Sequence, residues 1–169
     1  MKTWTCRTPG ELSLRDTPHP VAAPGRSLLR IRRIGVCGTD LHAFQGTQPF
    51  FTYPRVLGHE LAGDVGGEPH TIIPYYSCGH CIACRRGLPN CCSSIQVCGV
   101  HVDGGMAEYL SVPDDALIPA GGLSYDALAL VEPLAIGAHG VRRAGVQHDR
   151  APPGYQGCRE TAERGAVGD

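Results

Sequence analysis

The stretch SCGHCIACRRGLPNCC, residues 77–92, sets Cys78, Cys81 and Cys84 three positions apart and follows them with the adjacent pair Cys91 and Cys92. That spacing lets one tight turn aim several sulfurs at a single ion, and four thiolates around a divalent zinc leave a local charge of about -2. Arg85 and Arg86, directly beside the third cysteine, offset that charge, so the segment reads as a closed structural zinc site. His80 is a less natural ligand because it stands between two cysteines. A nucleic-acid zinc ribbon needs two separated cysteine pairs and a basic face, and the sequence has neither.

Outward from this knuckle, the chain has 169 residues, 15 Lys plus Arg against 16 Asp plus Glu, a formal charge of -1, 42% hydrophobic residues and 18% charged ones. The near-zero charge supplies no field to attract nucleic acid or anionic lipid. A chain of this length can bury one core but is cramped for a two-domain enzyme. Its 23 glycines and 14 prolines favour turns and short strands, which predicts a mainly β fold with short helices, an α+β class. Apolar, β-branched runs at 28–36, 61–65, 71–76 and 106–112 read as strands. One helix is expected to open near Thr39 and Asp40, with either as its cap; a second covers 124–131 with Ser124 as N-cap; a third runs from Pro133 to about Ala144. Residues 148–169 contain no Leu, Ile, Phe, Met or Trp and show no periodicity, so the expected division is a folded 1–147 and an unstructured tail at 148–169. No apolar run of membrane-spanning length occurs and no apolar segment follows Lys2, so a cytoplasmic location and reduced, metal-directed cysteines are expected.

A second constellation lies away from the knuckle. Cys37 sits in GVCGTDLH (35–42) and His59 in VLGHELAG (56–63), both flanked by glycines that permit close backbone approach. Glu60 adjoins His59, and Glu132 is embedded in the apolar LALVEPLAIGA (128–138), where an unpaired charge is costly unless a cation meets it. One thiolate, one imidazole and one or two carboxylates form a mixed set suited to a catalytic zinc with an open coordination position. Such an ion polarises an alcohol oxygen and favours the alkoxide from which hydride leaves. Thr39 and His42 are candidates for passing the hydroxyl proton to solvent. The plainer alternatives are packing for Cys37, a helix-start carboxylate for Glu132, a helix cap for Thr39 and a solvated helix face for His42.

Taken together, Cys37-Gly-Thr-Asp-Leu-His42, Gly58-His59-Glu60, the run Cys78-x-x-Cys81-x-x-Cys84 with Cys92 eight positions on, and Glu132-Pro133 resemble the zinc-dependent, medium-chain alcohol and polyol dehydrogenases from Met1 to about Val146. TQPFFTYPRVLGHE (47–60), IPYYSCGHC (73–81) and HVDGGMAEYLSVP (101–113) are most similar to the sugar-acid branch. The resemblance implies a GroES-like catalytic domain with Cys37, His59 and Glu60 at a catalytic zinc and Glu132 as a further ligand or partner of its water. It also implies a Thr39 and His42 relay, and a structural zinc on Cys78, Cys81, Cys84 and Cys92. It implies two zinc ions, NAD or NADP as hydride acceptor, a small-molecule alcohol or polyol substrate with neither nucleic acid nor membrane as partner, and an oligomer.

Two departures accompany it. The family continues into a Rossmann cofactor domain, whereas residues 148–169 hold no G-x-G-x-x-G, and Gly154 and Gly157 follow no apolar strand. The expectation is a truncated enzyme lacking that domain, which a shifted reading frame beyond Gln147 explains; its rival is a non-catalytic zinc-binding remnant. The segment near 65–70 is also shorter than the family's, which predicts strand-edge backbone groups without partners, each costing about 1 to 3 kcal/mol if buried.

Overall fold

The computed structural model describes residues 1–145; the tail expected at 148–169 lies outside the described residues. The chain divides into two units, Met1–Leu134 and a second beginning at Ala135.

The first unit is built from ten short strands. β1 (Lys2–Thr8), β2 (Glu11–Asp16) and β4 (Arg55–Val56) form a three-stranded sheet in the order β2-β1-β4. β3 (Arg26–Gly35), β5 (Glu60–Val65), β6 (Glu68–Ile72), β9 (Tyr109–Pro113) and β10 (Leu117–Pro119) form a five-stranded antiparallel sheet in the order β10-β6-β5-β3-β9. β7 (Tyr75–Tyr76) and β8 (Gln96–Val97) pair separately. Three helices complete the unit, α1 (Gly38–Gln45), α2 (Ile82–Arg85) and α3 (Tyr125–Ala129), and a fourth, α4, spans Val131–Arg143. The mainly β expectation holds.

Burial explains the strand pattern. Leu29, Leu61, Ile72, Cys98, Val112 and Ala116 form one core cluster of the large sheet. Cys6, Ala43, Phe51, Leu57 and Val100 form a second beneath α1, and Ala62, Leu128 and Ala129 join α3 to β5. In β3 the register shifts between Ile31 and Arg33, so Arg32 is an extra residue that bulges from the ladder. Its guanidinium reaches the buried Asp64 of β5 at 2.5 Å, and Tyr125 of α3 donates its hydroxyl to the same carboxylate.

Several boundaries differ from the sequence reading, each for a physical reason. The single strand expected at 71–76 is two, in different sheets, because Pro74 has no N–H to continue a ladder. The strand expected from residue 106 begins at Tyr109, because the N–H groups of Gly104, Gly105 and Met106 are taken by the carbonyls of Val56, Gly58 and Leu57 at 2.8, 2.9 and 2.9 Å. β1 and β2 were not anticipated: Thr3 and Cys6 are the buried residues of β1 while Trp4 is half-exposed, a weak hydrophobic alternation. The short segment near 65–70 is not strained. Gly66 and Gly67, both at positive φ, form a two-residue hairpin turn, and four residue pairs from Ala62 opposite Thr71 to Val65 opposite Glu68 close the ladder. The unpaired backbone groups expected there are paired.

Helix ends also differ. Ser124 caps α3 as expected, its hydroxyl accepting from Ala127 N at 3.2 Å, but the helix stops at Ala129. α4 begins at Val131 rather than Pro133, and Pro133 sits in its first turn, where no intrahelical donor is missed. The cap of α1 is neither Thr39 nor Asp40 but Cys37. In the second unit, the described part of α4 is followed by Gly145 at φ 63. No helix among the described residues is long and apolar enough to cross a membrane.

Candidate metal centres

Cys37, the cap of α1, follows the end of β3. Its Sγ accepts from the N–H of Thr39 at 3.3 Å, while Asp40, at the third helical position, accepts from the N–H of Cys37 at 3.1 Å. This reciprocal capping box fixes the thiol's direction. The other Asp40 oxygen accepts from Gly58 N at 3.1 Å, tying α1 to the loop that carries His59. Gly58 adopts φ 92, and a Cβ there would press on Ile34 and Met106, so glycine is required. The clamp from Gly104 to Met106 holds this loop from the other side.

The result is a convergence of donors from elements far apart in sequence. His59 Nε2 lies 3.2 Å from Cys37 Sγ. Ligand atoms of Cys37, Asp40 and His59 lie within 4.8 Å of one another, and so do those of His59, Glu60 and Glu132. His59 and Glu60 are buried, and Glu132, in the first turn of α4, is partly buried. Burial pushes the Glu60 carboxyl above its ordinary range; the Glu132 and Asp40 carboxylates add to the rise, and His59 opposes it. Two converging carboxylates beside a thiol and an imidazole repel one another unless a cation is shared. His59 Nδ1 is buried without a hydrogen-bond partner, 3.9 Å from Asp40 Oδ1.

Thr39 and His42 lie on α1 three positions apart, hence on one helical face. Neither belongs to the converging set. His42 is exposed, and its Nδ1 lies 3.2 Å from Thr47 Oγ1. Thr39's backbone serves the Cys37 cap, so the reading of Thr39 as the cap itself is corrected.

The knuckle closes as a second cluster. Cys78, Cys81, Cys84 and Cys92 have sulfurs within 4.8 Å of one another, with Cys81 and Cys84 Sγ 3.5 Å apart. Backbone N–H groups point at the sulfurs: Cys81 N to Cys78, Cys84 N to Cys81, and both Cys78 N and Ser94 N to Cys92. The N–H groups of Cys84 and Ser93 hold the Cys81 thiol down to about 5, whereas burial, reinforced by Cys81, pushes Cys84 up to about 11. Cys92 is buried in the cluster and Cys91 exposed outside it. His80 turns Nδ1 to the Cys78 carbonyl at 2.7 Å and takes no part.

Sequence reasoning missed two members of the mixed site. Asp40 entered only as a possible helix cap; an acidic residue three positions after a helix-opening cysteine was the available signal. Tyr75, whose hydroxyl donates to Glu132 Oε1 at 3.1 Å, carried none.

Residues 23–122 match the alcohol dehydrogenase GroES-like domain family. The chain is 45% identical over 157 residues to the L-galactonate-5-dehydrogenase of Escherichia coli (strain K12), which covers 86% of this chain and 46% of that protein. It is 36% identical over 148 residues to a zinc-type alcohol dehydrogenase-like protein of Haemophilus influenzae (strain ATCC 51907 / DSM 11121 / KW20 / Rd), covering 80% and 43%. Among solved structures, a short chain alcohol dehydrogenase from E. coli CFT073 complexed with NADH superposes with a TM-score of 0.80 at 31% identity, covering 86% of this chain and 46% of that one. The chain thus spans about half the length of the curated relatives it matches. With its strands, its two donor clusters and these relatives in agreement, the chain belongs to the alcohol dehydrogenase GroES-like domain family.

Proposed function

We propose that this chain is the zinc-binding catalytic domain of an NAD(P)-linked dehydrogenase that oxidises a secondary hydroxyl of a sugar acid or polyol. The observation that carries this reading is the meeting of Cys37 with His59, and of His59 with Glu60 and Glu132, two donor sets that share one imidazole. The donor set fits zinc: sulfur, imidazole nitrogen and carboxylate oxygen are all donors that this ion accepts, and three protein ligands of mixed kind leave a fourth position for water or substrate, with the second carboxylate beside it. When bound there, zinc supplies Lewis acidity to the substrate's hydroxyl oxygen.

The chain's own residues do the rest. Glu60, buried and crowded by Glu132 and Asp40, is the carboxylate whose charge a cation most relieves. Asp40 keeps Cys37 and the Gly58 turn in register, so sulfur and imidazole approach from fixed directions. Thr39 Oγ1 takes the substrate's hydroxyl proton as it releases its own, and His42, exposed on the same face of α1, passes a proton on to solvent. A nicotinamide dinucleotide would supply the hydride acceptor; NADH in the similar structure supports that class of cofactor. The sugar-acid substrate is supported by the L-galactonate-5-dehydrogenase likeness. The four sulfurs of Cys78, Cys81, Cys84 and Cys92 would hold a second, structural zinc.

Elemental analysis tests the proposal. Two zinc ions per folded chain are expected, and Cys37→Ser should remove one of them. One zinc per chain, insensitive to Cys37→Ser, would instead support a purely structural zinc-binding module.

A further inference from the structure

The two carboxylates of the mixed site are held very differently. Glu60 is buried, directed by the β3–β5 ladder and packed against Gly35. Glu132 stands only partly buried in the first turn of α4, and among the described residues its carboxylate makes one hydrogen bond, from the Tyr75 hydroxyl at 3.1 Å. A glutamate side chain free at several torsions loses appreciable entropy when fixed, so a ligand of this kind binds weakly unless a neighbour orients it.

Tyr75 is well placed to orient it. It lies in β7, opposite Val97 of β8, and Cys78 of the four-sulfur cluster follows three positions later. The ring is therefore carried on backbone tied on one side by the β8 ladder and on the other by the knuckle. The hydroxyl makes no other hydrogen bond among the described residues, and the side chain is 43% exposed, so neither core packing nor another polar partner accounts for its placement.

We propose that Tyr75 is a positioning residue for the mixed metal site: its phenol engages one Glu132 oxygen and leaves a single oxygen of that carboxylate for the metal. Tyr75 acts through Glu132 and is not itself a ligand. The inference rests on the mixed-site reading proposed above and extends it to a residue that joins the two clusters through one short strand.

Cobalt titration of the metal-stripped chain, read by visible absorption, tests the inference. The cobalt ion that Cys37→Ser abolishes reports the mixed site. Tyr75→Phe should weaken that ion's binding roughly tenfold or more, the usual effect of losing an outer-sphere hydrogen bond to a metal ligand. It should also shift the ion's absorption band while leaving the four-sulfur ion and the metal-free melting temperature unchanged. In a Glu132→Gln background, Tyr75→Phe should add no further loss. Unchanged affinity and spectrum in Tyr75→Phe, or a full further loss in the Glu132→Gln background, would overturn the role of Tyr75 while leaving the mixed site standing. If the parent chain takes up no cobalt sensitive to Cys37→Ser, the mixed-site reading falls, and the role of Tyr75 falls with it.

Discussion

Gly35 stands directly opposite Glu60 in the antiparallel pairing of β3 and β5, and a Cβ on Gly35 would overlap the Glu60 carboxylate. The glycine is a vacancy shaped to the glutamate, one residue from the turn that delivers Cys37. Gly35→Ala must therefore move Glu60 off its direction rather than merely stiffen the strand. The expected outcome is loss of one zinc per chain, with the four-sulfur zinc retained and a stability cost of about 1–3 kcal/mol from overpacking. Metal content and a denaturant midpoint measured on the same sample check both parts. Two zinc ions per chain in Gly35→Ala would show that Glu60 can shift without consequence.

Asp40 holds three things at once: the cap of α1, the Gly58 turn, and the flank of His59. Asparagine fits the space but offers one acceptor oxygen where the carboxylate offers two, so either Cys37 N or Gly58 N loses its partner in a buried setting. Asp40→Asn should cost about 1–3 kcal/mol in the metal-free chain, the range for orphaning a buried polar group. It should also weaken zinc at the mixed site, since Cys37 and His59 are no longer held in one register. Urea denaturation with and without zinc separates the two effects.

How legible this arrangement was in sequence depends on the range of the interaction. The four-sulfur knuckle was readable because its geometry is local, set by three-residue steps and N–H groups that follow each cysteine. The partners Cys37, His59, Glu60 and Glu132 were readable as donor types, yet their meeting depends on a ladder, a hairpin and a helix start separated by up to about a hundred residues. Asp40 was hidden because its role is defined by Gly58 N, eighteen positions away, and Tyr75 because its partner is fifty-seven positions away. β1 escaped for a different reason: Thr3 and Cys6 face inward where a strand pattern would show large aliphatics. The strain expected at 65–70 is absent because Gly66 and Gly67, both at positive φ, let two residues turn the chain where a longer loop is otherwise needed.

Adjacent Cys91 and Cys92 make a sharp internal control. Cys92 is buried among the other sulfurs and accepts two backbone N–H groups, while Cys91 is exposed beside Asn90. Cys91→Ser should leave zinc content and melting unchanged. Cys92→Ser should release the structural zinc at modest chelator concentration and loosen the loop from Cys78 to Cys92, because in such sites the metal-binding free energy is also folding free energy. Limited proteolysis of that loop, with and without chelator, reads the difference; equal sensitivity of the two variants would remove Cys92 from the ligand set.

Asp64 gives the fold an acid-sensitive joint. The Tyr125 hydroxyl first, and then the Arg32 guanidinium, hold its carboxyl below the ordinary aspartate value. A carboxylate with a depressed folded value stabilises the protein fully above its unfolded value of about 4, and that contribution disappears as pH falls below it toward the folded value. The parent should therefore lose stability on acidification below about pH 4 through this group. Asp64→Asn should be less stable by roughly 1–3 kcal/mol at neutral pH, since Arg32 and Tyr125 lose a charged acceptor. The gap between the two should narrow as pH falls through that window. Urea midpoints of parent and variant from pH 3 to pH 7 measure the gap directly. A gap that stays constant across the window would mean that α3 and the β3 bulge are held to β5 by packing of Ala62, Leu128 and Ala129 alone.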